Sequence, residues 1–229
     1  MPVSRPPTPR RGAAPVPILL LTGFEPFGGE TVNPSWLIAS ALDGETIGGA
    51  RVQALQLPTE FRASLRVLRA ALRRHTPSVV VALGQAGGRT ELSIERIAIN
   101  VDDARIPDNV GARPIDRPVV RGGPAAYFST LPVKAIVAAL AARGVPAGVS
   151  QTAGTFVCNH VFYGLQHALA GTRVRSGFVH VPYLPEQAEA WPGAPSLPLP
   201  TMVDGVRAVL RVAATHVGPD LREVGGAIS

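Results

Sequence analysis

Apolar runs of strand length alternate along this chain with segments whose apolar positions recur at helical spacing. Ile18-Leu-Leu-Leu-Thr22 and Ser78-Val-Val-Val-Ala-Leu83 are continuously apolar, the pattern of strands buried on both faces, and Gly84 is expected to stop the second. Between them Asn33-Pro34 reads as a helix start, since Asn caps a first turn well and Pro suits the first helical position. Trp36, Leu37, Ile38, Ala41 and Leu42 follow at core spacing, and Gly44 ends the helix. Arg51 to Leu57 predicts another strand. Pro58-Thr59 then leads into a helix reaching about His75, with Phe61, Leu65, Leu68 and Leu72 on one face.

The second half repeats the theme with more interruption. Glu91 to Val101 alternates irregularly through Leu92, Ile94, Ile97 and Ile99, which predicts an extended segment with a bulge or register change. Asp103 to Gly123, rich in Asp, Pro, Arg and Gly, predicts a long loop, and loops of that length in compact domains are usually functional or disordered. Leu131 to Arg143 reads as a helix closed by Gly144. A strand over Gly148 to Ala153, a helix over Asn159 to Leu169, a strand over Gly177 to Val181 and a helix over Thr201 to Val217 complete the chain. This alternation predicts an α/β fold, a three-layer α/β/α sandwich around a largely parallel, mixed and twisted sheet. Ligands in such folds bind outside the carboxyl ends of the strands. Gly23-Phe24, Gly84-Gln85, Thr155 to Cys158 and His180 all fall at predicted strand ends.

Composition narrows the function classes. The 229 residues are 46% hydrophobic, with a net charge of +6, enough for one large domain expected over residues 18–229. Three tail arginines, Arg5, Arg10 and Arg11, carry half of that charge, so the remaining surplus does not call for a nucleic-acid partner. The basic run from Arg62 to Arg74 reads as a solvated helix face. Met1 to Pro17 reads as a flexible Pro/Arg-rich extension, without the apolar stretch of a secretory signal, and no apolar run is long enough to span a membrane. A single cysteine cannot form an internal disulfide, so a reducing compartment, the cytoplasm, is expected.

That cysteine, Cys158, is expected in the first turn of a helix that follows a strand. There the free N–H groups and the positive end of the helix dipole favour a thiolate. A small buried hydrophobe is the competing reading. Of the five histidines, His75 and His216 fall at helix ends, His160 faces away from the sulfur two positions on, and His167 lies too far along the helix. His180, ending an apolar strand, is the candidate base, against a satisfied core histidine. Metal binding is a poor alternative: His160 and His167 share a face, but no third ligand joins them at ligand spacing. Gly23-Phe-Glu-Pro-Phe-Gly-Gly29 lacks the spacing of a phosphate loop, and its two phenylalanines either wall an apolar pocket or pack inward.

These residues together carry a resemblance. Thr22-Gly-Phe-Glu-Pro-Phe-Gly-Gly29 with Asn33-Pro34 resembles the N-terminal signature of the pyroglutamyl peptidase I family of cysteine peptidases. So do Gly88-Arg-Thr-Glu-Leu-Ser-Ile-Glu-Arg-Ile-Ala-Ile-Asn100 with Asp103-Ala-Arg-Ile-Pro-Asp-Asn109, Ala153-Gly-Thr-Phe-Val-Cys-Asn159, and Gly177-Phe-Val-His-Val-Pro-Tyr-Leu-Pro-Glu-Gln187. The resemblance spans about Ile18 to Val217. The extension before Val16 and the prolines of Trp191 to Pro200 depart from it without touching a motif.

The resemblance implies a Glu95–Cys158–His180 triad, although Glu95 on pattern alone reads as an exposed strand carboxylate. It also implies substrate contacts from Phe24, Phe27, Gln85, Arg105, Phe156 and Val157. The implied activity is removal of N-terminal pyroglutamate from peptides through a thioester, without a metal or organic cofactor. Family members are often homo-oligomers, so a dimer or tetramer is expected. Two readings stand beside it: glycosyl transfer of the purine nucleoside phosphorylase kind on a similar sheet, and a non-catalytic small-ligand module with an inert Cys158.

Overall fold

A computed structural model describes residues 16–226, so most of the Met1–Pro17 extension lies outside the described residues. The chain runs through β1 (Ile18–Phe24), α1 (Pro34–Ala41), β2 (Thr46–Ile47), β3 (Ala50–Leu57), α2 (Phe61–His75), β4 (Val79–Gln85), β5 (Leu92–Glu95) and β6 (Ile97–Ile99). It continues through β7 (Ala126–Phe128), α3 (Val133–Ala141), β8 (Ala147–Ser150), α4 (Val157–Leu169), β9 (Arg175–Val181), α5 (Pro185–Ala188) and α6 (Leu199–Thr215). Seven strands form one sheet in the order β2-β3-β1-β4-β9-β5-β8, and β6 pairs with β7 in a separate two-stranded ribbon. The four central strands β3, β1, β4 and β9 are parallel; β5 runs against β9, and β8 is parallel to β5.

Helices cover both faces of the sheet, which explains the unbroken apolar runs. Leu19 and Leu21 enter one core, with Ile38 of α1, Ile136 of α3 and Val209 of α6, while Leu20 enters the other, with Leu65 of α2 and Val161 of α4. All three leucines are fully buried, and burial of each such side chain contributes about 1.5–3 kcal/mol. The Asn33 side chain caps α1 by accepting from the Ser35 N–H. All five arginines of α2, Arg62, Arg66, Arg69, Arg73 and Arg74, are exposed, as a solvated basic face requires.

Two sequence expectations are corrected. β4 does not stop at Gly84 but continues to Gln85. Glycine is required there because a neighbouring side chain comes close, not because a turn begins. The irregular Glu91–Val101 stretch is two strands in different sheets: β5 and β6 meet at Arg96, where the chain leaves the large sheet for the ribbon. The short strands β2 and β7 and the helix α5 carried too few residues to give a periodic signal. Among the described residues, no helix is long and apolar enough to cross a membrane.

Candidate active site

The site grows out of strand register. Gly84 of β4 lies opposite His180 of β9, and on the other side of β9 Ser93 faces His180 while Glu95 faces Phe178. Side chains two positions apart share a face, so Ser93, Glu95, Phe178 and His180 all project toward α2 and α4. Glu95 is therefore a diagonal cross-strand neighbour of His180, within reach of a long side chain. His180 Nδ1 stands 2.8 Å from Glu95 Oε1, with the glutamate side chain fully buried and the histidine nearly so. Nδ1–H donates to the carboxylate, which leaves Nε2 to face a reaction partner.

Cys158 is that partner. It is the second residue of α4, whose N-cap, Phe156, provides no side-chain cap, so the first-turn N–H groups stay free. Burial alone would discourage a charge on His180. The Cys158 sulfur, by charge and hydrogen bonding, and then Glu95 more than offset it and lift the imidazole from 6.5 to about 9. A Cβ built on Gly84 would lie 2.8 Å from Cys158 Sγ and 2.7 Å from the Phe178 ring, so the missing side chain is the space the sulfur occupies. The segment 151–156 carries the chain to this point. Gly23-Phe24, Gly84-Gln85 and His180 arrive as the carboxyl-end rule expects, but Cys158 does not, because β8 runs against the central strands.

The two residues after the cysteine hold α4 in place. Asn159 Nδ2 donates to the carbonyls of Ile99 (2.9 Å) and Val101 (3.0 Å), and its Oδ1 accepts from the Ile99 N–H (3.0 Å). His160 Nδ1 pairs with Asp102 Oδ2 at 2.8 Å, and its ring meets Phe61 edge-on. Sequence reasoning set His160 aside as a base and missed this anchor. His167 bonds the Tyr127 hydroxyl (2.9 Å), so His160 and His167 serve different partners despite sharing a helix face. His75 and His216 are half-buried at helix ends.

Phe24, Phe27, Asn33, Thr59, Gln85, Phe156, Val157 and Cys158 line a narrow cleft. Five of the six expected substrate contacts meet there. Phe24 fulfils both readings of the loop aromatics, since it is buried in the core and still reaches the cleft. Phe27 is half-buried and faces Phe156, their ring centres 6.1 Å apart. The sixth expected contact, Arg105, is exposed on the 103–123 loop and does not line the cleft. In the sequence Asn33 and Thr59 signal only a helix cap and a helix lead-in. A wider polar groove between α3 and α6, lined by Arg143, Asp204, Arg207 and Arg211, contains none of the candidate residues.

The long loop is tied down at the cleft. Asp108 Oδ2 accepts from the Phe61 N–H at the start of α2, and Asn109 bonds the carbonyls of Pro26 and Thr59. At its start, Thr155 Oγ1 donates to the Asp103 carbonyl, fastening the loop to the residues that lead into α4.

A sulfur and a charged imidazole beside a small aromatic cleft place the chain among the cysteine hydrolases with an α/β sheet. The pyroglutamyl peptidase family model matches residues 18–216, and the chain belongs to that family. It is 61% identical over 212 residues to a pyrrolidone-carboxylate peptidase of Cupriavidus pinatubonensis, covering 91% of this chain and 97% of the relative. It is 58% identical over 213 residues to pyrrolidone-carboxylate peptidase 1 of Ralstonia nicotianae, covering 92% and 99%. The crystal structure of pyroglutamyl peptidase I from Bacillus amyloliquefaciens matches with a TM-score of 0.87 at 46% identity, covering 91% of this chain and all (100%) of that one.

Proposed function

We propose that this chain removes N-terminal pyroglutamate (5-oxoproline) from peptides, with Cys158 as nucleophile, His180 as general acid and base, and Glu95 as the group that orients His180. The observation that carries the reading is the buried His180–Glu95 pair acting on the only cysteine, at the edge of the aromatic cleft.

A lactam ring is compact, neutral and half apolar, which suits a small cleft whose wall includes Phe24, Phe27 and Phe156. Its carbonyl and N–H need partners there, because an unpaired buried polar group costs about 1–3 kcal/mol. Gln85 Oε1 accepts from Gln187 Nε2 (3.2 Å), so the Gln85 amide N–H₂ remains a donor at the cleft wall. Proline, lacking the lactam carbonyl, would leave such a donor unpaired, and that penalty is the basis of selectivity. A free N-terminal ammonium would enter without a carboxylate to meet it, since none lines the cleft.

In the reaction, Cys158 Sγ attacks the carbonyl that joins pyroglutamate to the next residue. The first-turn N–H groups of α4 stabilise the oxyanion. His180 gives its proton to the departing amine as the C–N bond breaks, leaving a thioester. His180 then takes a proton from water, which attacks the thioester, and pyroglutamate leaves as the sulfur is released.

Residues 18–229 form the peptidase domain in this reading. A lone cysteine that works as a thiolate fits a reducing compartment, which supports a cytoplasmic enzyme.

The deciding experiment is hydrolysis of a pyroglutamyl fluorogenic amide with and without iodoacetamide. Release abolished by alkylation is expected. A glycosyl-transfer enzyme would instead need phosphate and ignore the thiol reagent, and a binding module would release nothing.

A further inference from the structure

Arg89 lies between β4 and β5 and is not part of the cleft lining. Its guanidinium nevertheless meets four acceptors in three segments. Nη1 donates to Ser93 Oγ (3.0 Å) on β5 and to Ser150 Oγ (3.1 Å) on β8. Nη2 donates to the Thr152 carbonyl (3.1 Å) and to Glu95 Oε1 (3.4 Å), the same oxygen that accepts from His180. The arginine is 31% exposed and the glutamate fully buried. One cation thus joins the buried carboxylate to the segment that delivers Cys158.

We propose that Arg89 is a positioning residue for the reaction: its guanidinium balances the Glu95 carboxylate during the part of the cycle in which His180 carries no proton on Nε2. The inference rests on the mechanism above. Before attack, the imidazolium offsets the carboxylate. After it has protonated the leaving amine, His180 is neutral until water returns a proton, and a fully buried carboxylate then faces an uncharged ring. A buried charge in that position is strongly unfavourable without a partner. It would draw a proton to itself, and the ring would no longer be held as a base for water. Arginine stays protonated throughout, so its charge is constant while that of histidine alternates. Its two serine bonds and one carbonyl bond hold the fork in place independently of the carboxylate. Arg89 neither gives nor takes a proton in any step.

The groups facing this centre limit what else could play the part. α4 presents Cys158, β5 presents Glu95, β4 presents only Gly84, and β8 with its following segment presents the hydroxyl of Ser150 and the carbonyl of Thr152. Among the described residues that face this centre, Arg89 is the one permanent cation.

The test compares Arg89→Met and Arg89→Lys with the unmodified protein, using the pH profile of kcat/KM on a pyroglutamyl amide and turnover of a pyroglutamyl ester, for which deacylation limits the rate. Loss of a nearby positive charge makes the groups left behind hold their protons more tightly, so they titrate at higher pH. Both limbs of the Arg89→Met profile should therefore move to higher pH, by about half a unit to one unit. Ester turnover should fall about tenfold, the equivalent of one unit of differential interaction, with KM within about twofold. Arg89→Lys should recover most of both effects.

A rate loss with both limbs unmoved, or an Arg89→Lys variant as impaired as Arg89→Met, would reduce Arg89 to a structural brace and overturn the proposal. Should Arg89→Met fail to fold, Ser93→Ala/Ser150→Ala keeps the arginine but removes two of its anchors. A smaller shift in the same direction supports the proposal, and an unmoved profile overturns it. Full activity in Cys158→Ala would sink the underlying mechanism and this inference with it. Loss of activity in Cys158→Ala together with unmoved limbs in Arg89→Met would sink the inference alone.

Discussion

Two buried histidine–carboxylate pairs sit on the same face of this sheet, and they are nearly identical in themselves. His180 Nδ1 meets Glu95 Oε1 at 2.8 Å, and His160 Nδ1 meets Asp102 Oδ2 at 2.8 Å. All four side chains are at least nine-tenths buried. The difference lies in what stands on the far side of each ring. His180 has the Cys158 sulfur, and its carboxylate has Arg89. His160 has the edge of Phe61, which in turn meets Phe156 at the cleft. A buried pair of this kind is a device for fixing an imidazole, and only the third group decides whether the fixed ring does chemistry or holds a helix in place.

The largest expected effect breaks that symmetry directly. His180→Ala should lower kcat by about 10⁴-fold, the scale on which catalytic triads lose activity. His160→Ala should keep most of the activity and instead lose about 1–3 kcal/mol of stability, because Asp102 is left buried without its partner. Steady-state kinetics and thermal melts of the two variants, side by side, make the comparison. If His160→Ala silenced a protein that still melted normally, the assignment of the two histidines would be reversed.

The carboxylates should follow their histidines at reduced scale. Glu95→Gln keeps the size of the side chain but presents an amide to Nδ1, and should lower kcat by on the order of 10²–10⁴-fold. Asp102→Asn should change kcat less than threefold and be visible chiefly in the melting temperature, by a few degrees. Equal activity losses in the two variants would mean that Asp102 reaches the chemistry through Phe61 and Phe156, which the present geometry does not require.

Gly84→Ala tests the space rather than the charges. The added carbon would come within 2.8 Å of Cys158 Sγ, and backbone register with His180 leaves β4 little room to retreat. Displacing the sulfur by roughly an ångström should cost about 10²-fold in kcat, with the His160–Asp102 pair untouched. Retained activity would show that the cysteine reaches His180 from another direction.

How much of this was legible before any coordinates depended on the physical signal involved. The continuous apolar runs of β1 and β4 and the amphipathic α2 were legible because burial on two faces, or on one, leaves a period in the sequence. Cys158 at the start of a helix was legible from its solitude and its flanking elements. Glu95 was not legible from pattern, because it precedes Arg96, where the chain leaves one sheet for another and the alternation that marks inside from outside is lost; only the family resemblance pointed to it. The His160–Asp102 pair and the Arg89–Thr152 contact left no trace, since they join residues 58 and 63 positions apart with several strands and a helix between them. Gly84 was read as a stop because glycine signals a turn and a close approach in the same letter. Register alone separates the two.

The smallest expected effect concerns stability rather than rate, and it isolates the sulfur's contribution to the active pair. His180 binds its proton more tightly in the folded protein, with its value raised from 6.5 to about 9. The corresponding stabilisation is fully present below 6.5 and is lost as pH rises through about 9. Burial opposes the shift, and the Cys158 sulfur is the first of the groups that produce it. Cys158→Ala keeps Glu95 but removes the sulfur, so His180 should hold its proton less tightly in the variant. Melting temperatures measured from below pH 6.5 to above pH 9 should therefore decline more steeply for the unmodified protein than for Cys158→Ala. Parallel curves would mean that Glu95 alone sustains the charged ring. The two histidine–carboxylate pairs would then differ only in what lies near them, not in how strongly the neighbour acts.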